Sequence, residues 1–311
     1  AALWTLAKRY IPSHIAAAVV TIITLLIPVQ MASENWDDHD RSGRYTMRDF
    51  GMNYLRSVAK DAIIFTNGDN DTFPLWYAQE VEGFRTDVRV TNLSYLQTDW
   101  YVDQMRRQAY DSPPLPIEWE KSQYIGDKGM YAYILSKDQI ENAVKQQIAQ
   151  SSGGSVFDKL QAEQASLNLG AYYDQSAFTD SVSLDKIMDI LRTQDKYVPK
   201  NPFIQDDNIF IIPGNQLYMK VDTTAVDWEA MNTTPYPNMM LNLGNKNVVY
   251  RNEIMIMEML SNINKDNWKR PIYFATTVGN DLYMNMKSTN FMLEGLAYRV
   301  TPGIVNDTGV N

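Results

Sequence analysis

From Ile11 to Met31 the chain reads IPSHIAAAVVTIITLLIPVQM, 21 residues without one formally charged side chain. At 1.5 Å of rise per residue such a helix is roughly 30 Å long, the thickness of a bilayer's hydrocarbon core. Apolar residues surround this helix instead of forming one stripe, so a membrane span is the reading it favours. Lys8 and Arg9 precede it, and Glu34, Asp37, Asp38 and Asp40 follow. By the positive-inside rule its N-terminal end is cytoplasmic and the remaining residues lie outside. Trp36 falls where an interfacial anchor belongs. Two other readings compete: a cleaved signal peptide, whose three regions Lys8-Arg9, the apolar stretch and Met31-Ala32-Ser33 loosely imitate, and the buried helix of a soluble protein. Upstream, Ala1-Ala2-Leu3-Trp4-Thr5-Leu6 is apolar too, as if another membrane segment had just ended, and the alanine start suggests a piece of a longer protein.

The rest of the chain alternates. Arg48 to Val58 reads as a helix, Ala62 to Thr66 as a strand, Phe73 to Val81 as a helix stopped by Gly83, Asp87 to Leu93 as a strand, and Thr98 to Tyr110 as a helix with Thr98 as N-cap. This order marks a parallel α/β sheet. Pro113, Pro114 and Pro116 break it. Ser136 and Gln139 form a capping box for a helix to about Gln150. Ser151-Ser152-Gly153-Gly154-Ser155 is the best linker in the chain, with helices expected at 156–169 and 184–193. Asn208 to Ile212 and Gln216 to Val221 flank Pro213-Gly214-Asn215 and read as a β-hairpin. The end returns to α/β: helix Arg251 to Ile263, strand Ile272 to Thr276, a helix near Ser288 to Glu294, strand Leu296 to Thr301. The fold expected is therefore α/β: an N-terminal transmembrane helix (1–33 with its flank), then a Rossmann-like parallel sheet domain over 34–311. A mainly helical insertion containing the hairpin interrupts it at about 120–245. Two domains split at the linker would leave two strands each, too few to stand alone.

Charge and composition exclude some functions. A net charge of −9 and a pI near 4.8 argue against a nucleic-acid partner or an anionic-lipid surface. With no cysteine, neither a disulfide nor a thiolate metal site can form. Aromatics make up 12% of residues; exposed Trp and Tyr can stack on sugars or sit at a membrane interface. There is no nucleophile elbow, P-loop or dinucleotide glycine pattern.

Two stretches carry candidate chemistry. In FTNGDNDTFPLWYAQE, residues 65–80, Asp69 and Asp71 flank Asn70 on a loop after a strand, where α/β proteins place ligands. A D-x-D pair can hold Mn²⁺ or Mg²⁺ against a sugar-nucleotide pyrophosphate, so a divalent cation is the one cofactor to consider; no other is implied. The plainer account makes Asn67-Gly68 a turn, Asp71 or Thr72 the cap of the next helix, and Pro74 part of its first turn. The second stretch is Asn35-Trp36-Asp37-Asp38-His39-Asp40-Arg41-Ser42. Here Asp37, His39 and Asp40 could ligate a metal, or His39 could act as a base oriented by a carboxylate. The plainer account is an acidic helix N-terminus with Arg41 and Arg44 pairing locally, or a hydrogen-bond hub between membrane and soluble parts. The ligand- or acceptor-binding candidates are thus Asp69, Asn70, Asp71, Trp36, His39 and Arg41. Met255, Met257 and Met259, with Ile254, Ile256 and Leu260, read as a buried helix.

The runs NWDDHDRSGRYT and FTNGDNDTFPLWYAQEVEGFRTDVRVTNLSYLQTDWYVDQM, with NKNVVYRNEIMIMEML and RPIYFAT later, closely resemble the C-terminal extramembrane region of a Bacteroidota family of multi-pass membrane proteins. That family is related to the eukaryotic transmembrane protein O-mannosyltransferases and is similar to GT-C glycosyltransferases in its N-terminal half. The resemblance implies a lipid-linked sugar donor, transfer to serine or threonine of exported proteins, and an inner-membrane protein whose last span is followed by a periplasmic accessory domain. In GT-C enzymes the catalytic acid lies on a loop among the first membrane helices, so no catalytic residue maps onto this chain. The partners implied are upstream membrane helices of the same protein, acceptor proteins and lipid-linked sugar. A non-enzymatic periplasmic scaffold associated with protein-export machinery is the second reading. A sugar-nucleotide transferase using Asp69 and Asp71 is the third, and compartment argues against it, because nucleotide sugars are cytoplasmic.

Overall fold

The computed structural model describes residues 2–7, 9–136, 138–139, 142, 181–193 and 210–305. The chain falls into two units, Ala1–Met47 and Arg48–Asn311. The first holds α1 (Ala2–Ala7) and α2 (Ser13–His39). α2 has 27 residues, a mean hydropathy of 2.3 in its most apolar window and only 6% of that window buried, so it is long and apolar enough to cross a membrane or serve as a signal sequence. The apolar stretch predicted it from Ile11 to Met31; the helix runs two turns further because Ala32 to His39 contains neither glycine nor proline to stop it.

The second unit begins with α3 (Thr46–Arg56), whose first two residues belong to the first unit. Then come β1 (Ile63–Thr66), α4 (Asp69–Glu80), β2 (Arg89–Asn92), a 3₁₀ turn at Tyr95–Gln97, α5 (Asp99–Met105) and α6 (Lys121–Tyr124). β3 (Tyr131–Leu135), β4 (Val182–Ser183), α7 (Leu184–Thr193), β5 (Phe210–Pro213), β6 (Gln216–Lys220), α8 (Trp228–Met231), β7 (Asn238–Asn242) and β8 (Val248–Tyr250) follow. The chain closes with α9 (Arg251–Lys265), β9 (Ile272–Ala275), β10 (Phe291–Glu294) and β11 (Ala297–Val300).

The main sheet has five strands in the order β10-β11-β9-β1-β2. β1 lies parallel to both neighbours, with Ile64 opposite Val90 and Tyr273. Every residue of β1 and β9 is buried, as an apolar run in a covered parallel sheet must be. The three strands expected to share one sheet do so, although their sequence positions are far apart. β11 and β10 extend that sheet antiparallel, so it is mixed and not the all-parallel Rossmann-like sheet expected. The helix expected near Ser288 to Glu294 is instead a 3₁₀ turn at Met286–Ser288 followed by β10. Gly295, at φ 58°, opens a two-residue hairpin loop pairing Glu294 with Ala297, a turn that fixes a strand where helical spacing was read.

The insertion is richer in strand than expected. Its described residues, joined by β8 just past its expected end, form two three-stranded sheets, β5-β3-β8 and β4-β6-β7. β5 and β6 do not pair as a hairpin: β5 runs parallel to β3, while β6 pairs antiparallel with β7. Gly214, at φ 114°, turns the chain from one sheet into the other instead of folding it back on itself. Ser136 and Gln139 make the expected reciprocal capping bonds, at 3.2 and 2.8 Å. The linker at 151–155, the helix at 156–169 and most of that at 136–150 lie outside the described residues. α9 is buried from Arg251 to Asn264, which accounts for its methionines and isoleucines on every side.

Candidate functional site

The parallel strands β9, β1 and β2 end at one carboxyl edge, and the connections leaving them meet there. Asn67 and Gly68 follow β1. Gly68 has φ 93° and ψ −179°, a region open only to glycine, and it turns the chain straight into α4. The helix therefore starts at Asp69, four residues earlier than its apolar residues indicated, and Gly68 is its N-cap without any side-chain cap. Asp71 and Thr72 are not the caps expected. Asp69 and Asp71 lie in the first turn, where negative charge complements the helix dipole.

Asp71 is 4% exposed. Its Oδ2 accepts hydrogen bonds from the Asn67 backbone N–H at 3.0 Å and from Thr277 Oγ1 at 2.6 Å, joining the connection after β1 to that after β9. Its Oδ1 is buried without a hydrogen-bond partner. Thr72 Oγ1 donates to the Gly68 carbonyl at 2.6 Å, so it must accept from Thr66 Oγ1 at 2.7 Å and from Asn92 Nδ2 at 2.9 Å. Asn92 Oδ1 in turn accepts from the N–H groups of Ser94 and Tyr95, an Asx turn that sets the loop after β2. Its own N–H donates to the buried Tyr101 hydroxyl, whose pKa burial pushes up to about 12.

The solvent side of this network is formed by Ser94 Oγ, which donates to Asn67 Oδ1 at 3.0 Å, and Tyr95 OH, which donates to Asp69 Oδ1 at 3.2 Å. Asp69 and Asn70 are exposed. Aromatic rings flank them: Phe73 stacks on Trp76, Trp76 on Tyr95, and Tyr95 tilts against Trp100, at centroid separations of 5.7, 6.2 and 6.1 Å. Trp100 is 56% exposed. Chemically the edge offers hydroxyl, amide and carboxylate groups beside ring surfaces, suited to hydrogen bonding and stacking on a polar ligand.

The D-x-D pair thus divides. Asp71 is spent on holding two loops together, and Asp69 faces solvent. No group of three or more His, Cys, Asp or Glu side chains that could hold a metal ion occurs among the described residues. Trp36, His39 and Arg41 belong to the first unit. Trp36 is exposed on the last turns of α2, His39 Nδ1 lies 3.0 Å from the Asn35 carbonyl oxygen of its own helix, and the Arg41 carbonyl accepts from the Arg44 N–H in the turn beyond. The residues that sequence reading missed are Ser94, Tyr95, Trp100 and Thr277. Thr277 carried a weak signal, as a hydroxyl just past an apolar strand; the others carried none without knowing which strands are neighbours.

The family model for TMEM260-associated domain 2 matches residues 47–310. No solved structure matches this chain.

Proposed function

This chain belongs to the TMEM260-associated domain 2 family, and from that premise we propose that it is the extramembrane accessory domain of a membrane O-glycosyltransferase. That enzyme would move a sugar from a lipid carrier to serine or threonine of exported proteins. In this reading α2 is a membrane span, residues 34–311 lie in the periplasm, and the carboxyl edge of the main sheet receives the acceptor. The resemblance of the sequence to relatives of the O-mannosyltransferases motivates the enzyme class. The observation that carries the choice of surface is the convergence of the connections after β1, β2 and β9 through Asp71, Thr277, Asn67 and Ser94. Open α/β sheets take ligands at this end.

The chain's own residues bind and orient; none breaks a bond. Asp69 accepts a hydrogen bond from a ligand hydroxyl or amide once Tyr95 yields it. Ser94 and Asn67 offer a donor and an acceptor that match an extended peptide backbone. Trp76 and Trp100 supply ring surface. The backbones of the two loops are set by buried Asp71 and Asn92, so the ligand meets a preformed edge.

The test is glycoproteomics of exported proteins in the native host, comparing the parent gene with one lacking residues 47–310 and with Asp69→Ala/Trp100→Ala. Occupancy of serine and threonine sites should fall at least several-fold in both, at unchanged membrane abundance. Unchanged occupancy in the deletion would remove the enzyme reading and leave a scaffold docked on export machinery.

A further inference from the structure

α4 is apolar on two sides. Pro74, Leu75 and Ala78 are buried against the protein, yet Phe73, Tyr77 and Val81, spaced i, i+4 and i+8, are 43%, 43% and 67% exposed. A surface helix ordinarily turns a polar face to water, so the outward stripe is unaccounted for by folding. Phe50 on α3 adds a further exposed ring at 36%. The two helices form one rigid surface. Gly51 of α3 lies so close to α4 that a Cβ there would sit 2.3 Å from the Pro74 carbonyl oxygen. The Arg48 guanidinium bonds Glu82 at 3.0 Å beside the far end of α4.

We propose that this α3–α4 face lies on the lipid–water interface of the membrane that α2 crosses. The proposal rests on the membrane-span part of the functional reading and not on its enzyme part. Rings with a polar tip are the groups that settle at headgroup level; the Tyr77 hydroxyl faces Glu82 at 3.4 Å, at the rim of the stripe. Chain continuity names the occupant. Only residues 40–45 join α2 to α3, and a chain that short reaches roughly 25 Å at full extension. A helix tethered by it stays within reach of the bilayer. The lipid class follows from charge: with a net charge of −9 and Arg48 paired to Glu82, the face has nothing to recommend anionic headgroups. Zwitterionic lipid suffices.

The absence of cysteine makes the test direct. The full chain is reconstituted into phosphatidylcholine vesicles as Tyr77→Cys, Val81→Cys or Asn245→Cys, each labelled with bimane; Asn245 is an exposed control. Fluorescence is compared with and without headgroup-nitroxide lipid, after flotation has separated inserted chains. Flotation of all three, with quenching at positions 77 and 81 at least twofold above that at 245, supports the proposal. Flotation with equal quenching at all three positions overturns it while leaving the span intact. Quenching at 77 and 81 by a nitroxide-labelled second copy, and not by lipid, also overturns it and assigns the face to self-association. Failure to float removes the span itself, and this proposal with it.

Discussion

Asp71→Ala isolates what the D-x-D motif does. The substitution deletes the acceptor for two donors, the Asn67 N–H at 3.0 Å and the Thr277 hydroxyl at 2.6 Å, at a site 4% exposed. Hydrogen bonds to a charged group contribute about 1.5–3 kcal/mol each, so the gross loss is about 3–6 kcal/mol. Against it stands relief of the buried Oδ1, which has no partner and whose desolvation costs about 1–3 kcal/mol. The net expectation is a loss of about 3 kcal/mol. For a unit of this size that lowers Tm by about 6–12 °C. Thr277→Val removes one of the two bonds and should cost about 1–2 kcal/mol. The double variant should fall short of the sum, because both changes break the same contact. Asp69→Ala, at an exposed carboxylate with one bond from Tyr95, should stay within about 0.5 kcal/mol. Thermal unfolding of the detergent-solubilised chain, followed by circular dichroism, reads all four. Adding Mn²⁺ or Mg²⁺ should move none of them. An Asp71→Ala variant as stable as the parent, or a metal-induced rise in Tm lost in both aspartate variants, would refute the structural assignment and restore a cation site.

Three further outcomes are expected. Gly51→Ala should destabilise by about 1–3 kcal/mol in denaturant titration, because its Cβ would meet the Pro74 carbonyl oxygen at 2.3 Å, whereas the same change in an open helix gains about 1 kcal/mol. Asp87→Asn should cost about 2 kcal/mol at neutral pH, since Arg85 grips Asp87 with bonds of 2.8 and 2.9 Å. The Arg85 bond holds the Asp87 pKa below its ordinary value, so this stabilisation is present above about pH 4 and is lost as pH falls through the lower folded pKa; parent and variant should converge in acid unfolding. Arg251→Lys should lower Tm by several degrees, because one ammonium cannot serve the carbonyls of Gln97, Gly126 and Lys128 that the guanidinium bonds at 2.6–2.9 Å.

What the sequence revealed depended on how far apart the pairing residues are. The apolar runs at 63–66 and 272–275 announce buried strands by themselves, and each is followed by turn chemistry and a helix or helical turn. α9 was equally plain from its methionine and isoleucine content. The insertion was not, because β3 finds its partners at Phe210–Pro213 and Val248–Tyr250, and no local pattern encodes such pairings. β10 was misread because Met292 and Leu293 suit a helix as well as a strand; the Gly295 turn and the neighbour β11 decided it. Asp71 shows the same limit at the site. Its position after a strand was legible, but its partner Thr277 is 206 residues away. Asp71 accepts from the Asn67 N–H of its own loop, and the cap position expected of it falls to Gly68.

The two edges of the main sheet differ in a way that explains why only one is a candidate site. At the amino edge, four arginine side chains are engaged within the protein, by backbone carbonyls, one carboxylate and the hydroxyls of Ser112 and Tyr124. Arg85 bonds the carbonyls of Leu55, Val58 and Ala59 as well as Asp87. Arg89 bonds those of Gln104, Met105 and Arg107, and Arg270 those of Asp61, Pro113 and Pro114. Arg106 similarly reaches the Ile117 carbonyl and the Tyr124 hydroxyl. These segments lie outside helices and strands or at their ends, so their carbonyls need donors, and a guanidinium supplies several at once. Burial lowers the Arg270 pKa to about 10, with Arg89 nearby adding to the effect, yet it stays charged at neutral pH. Carbonyl dipoles replace the water it has lost. The result is an amino edge whose guanidinium groups are turned inward onto backbone carbonyls, although Arg89 Nε and Nη1 stay buried without a partner. At the carboxyl edge the same economy stops one layer short: Asp71, Thr72 and Asn92 close the inner network, while Ser94 holds Asn67 and Tyr95 holds Asp69 by one side-chain bond each, at 3.0 and 3.2 Å, on the solvent side. Those bonds exchange with a ligand at little cost, whereas displacing an arginine from three carbonyls would unpin the fold.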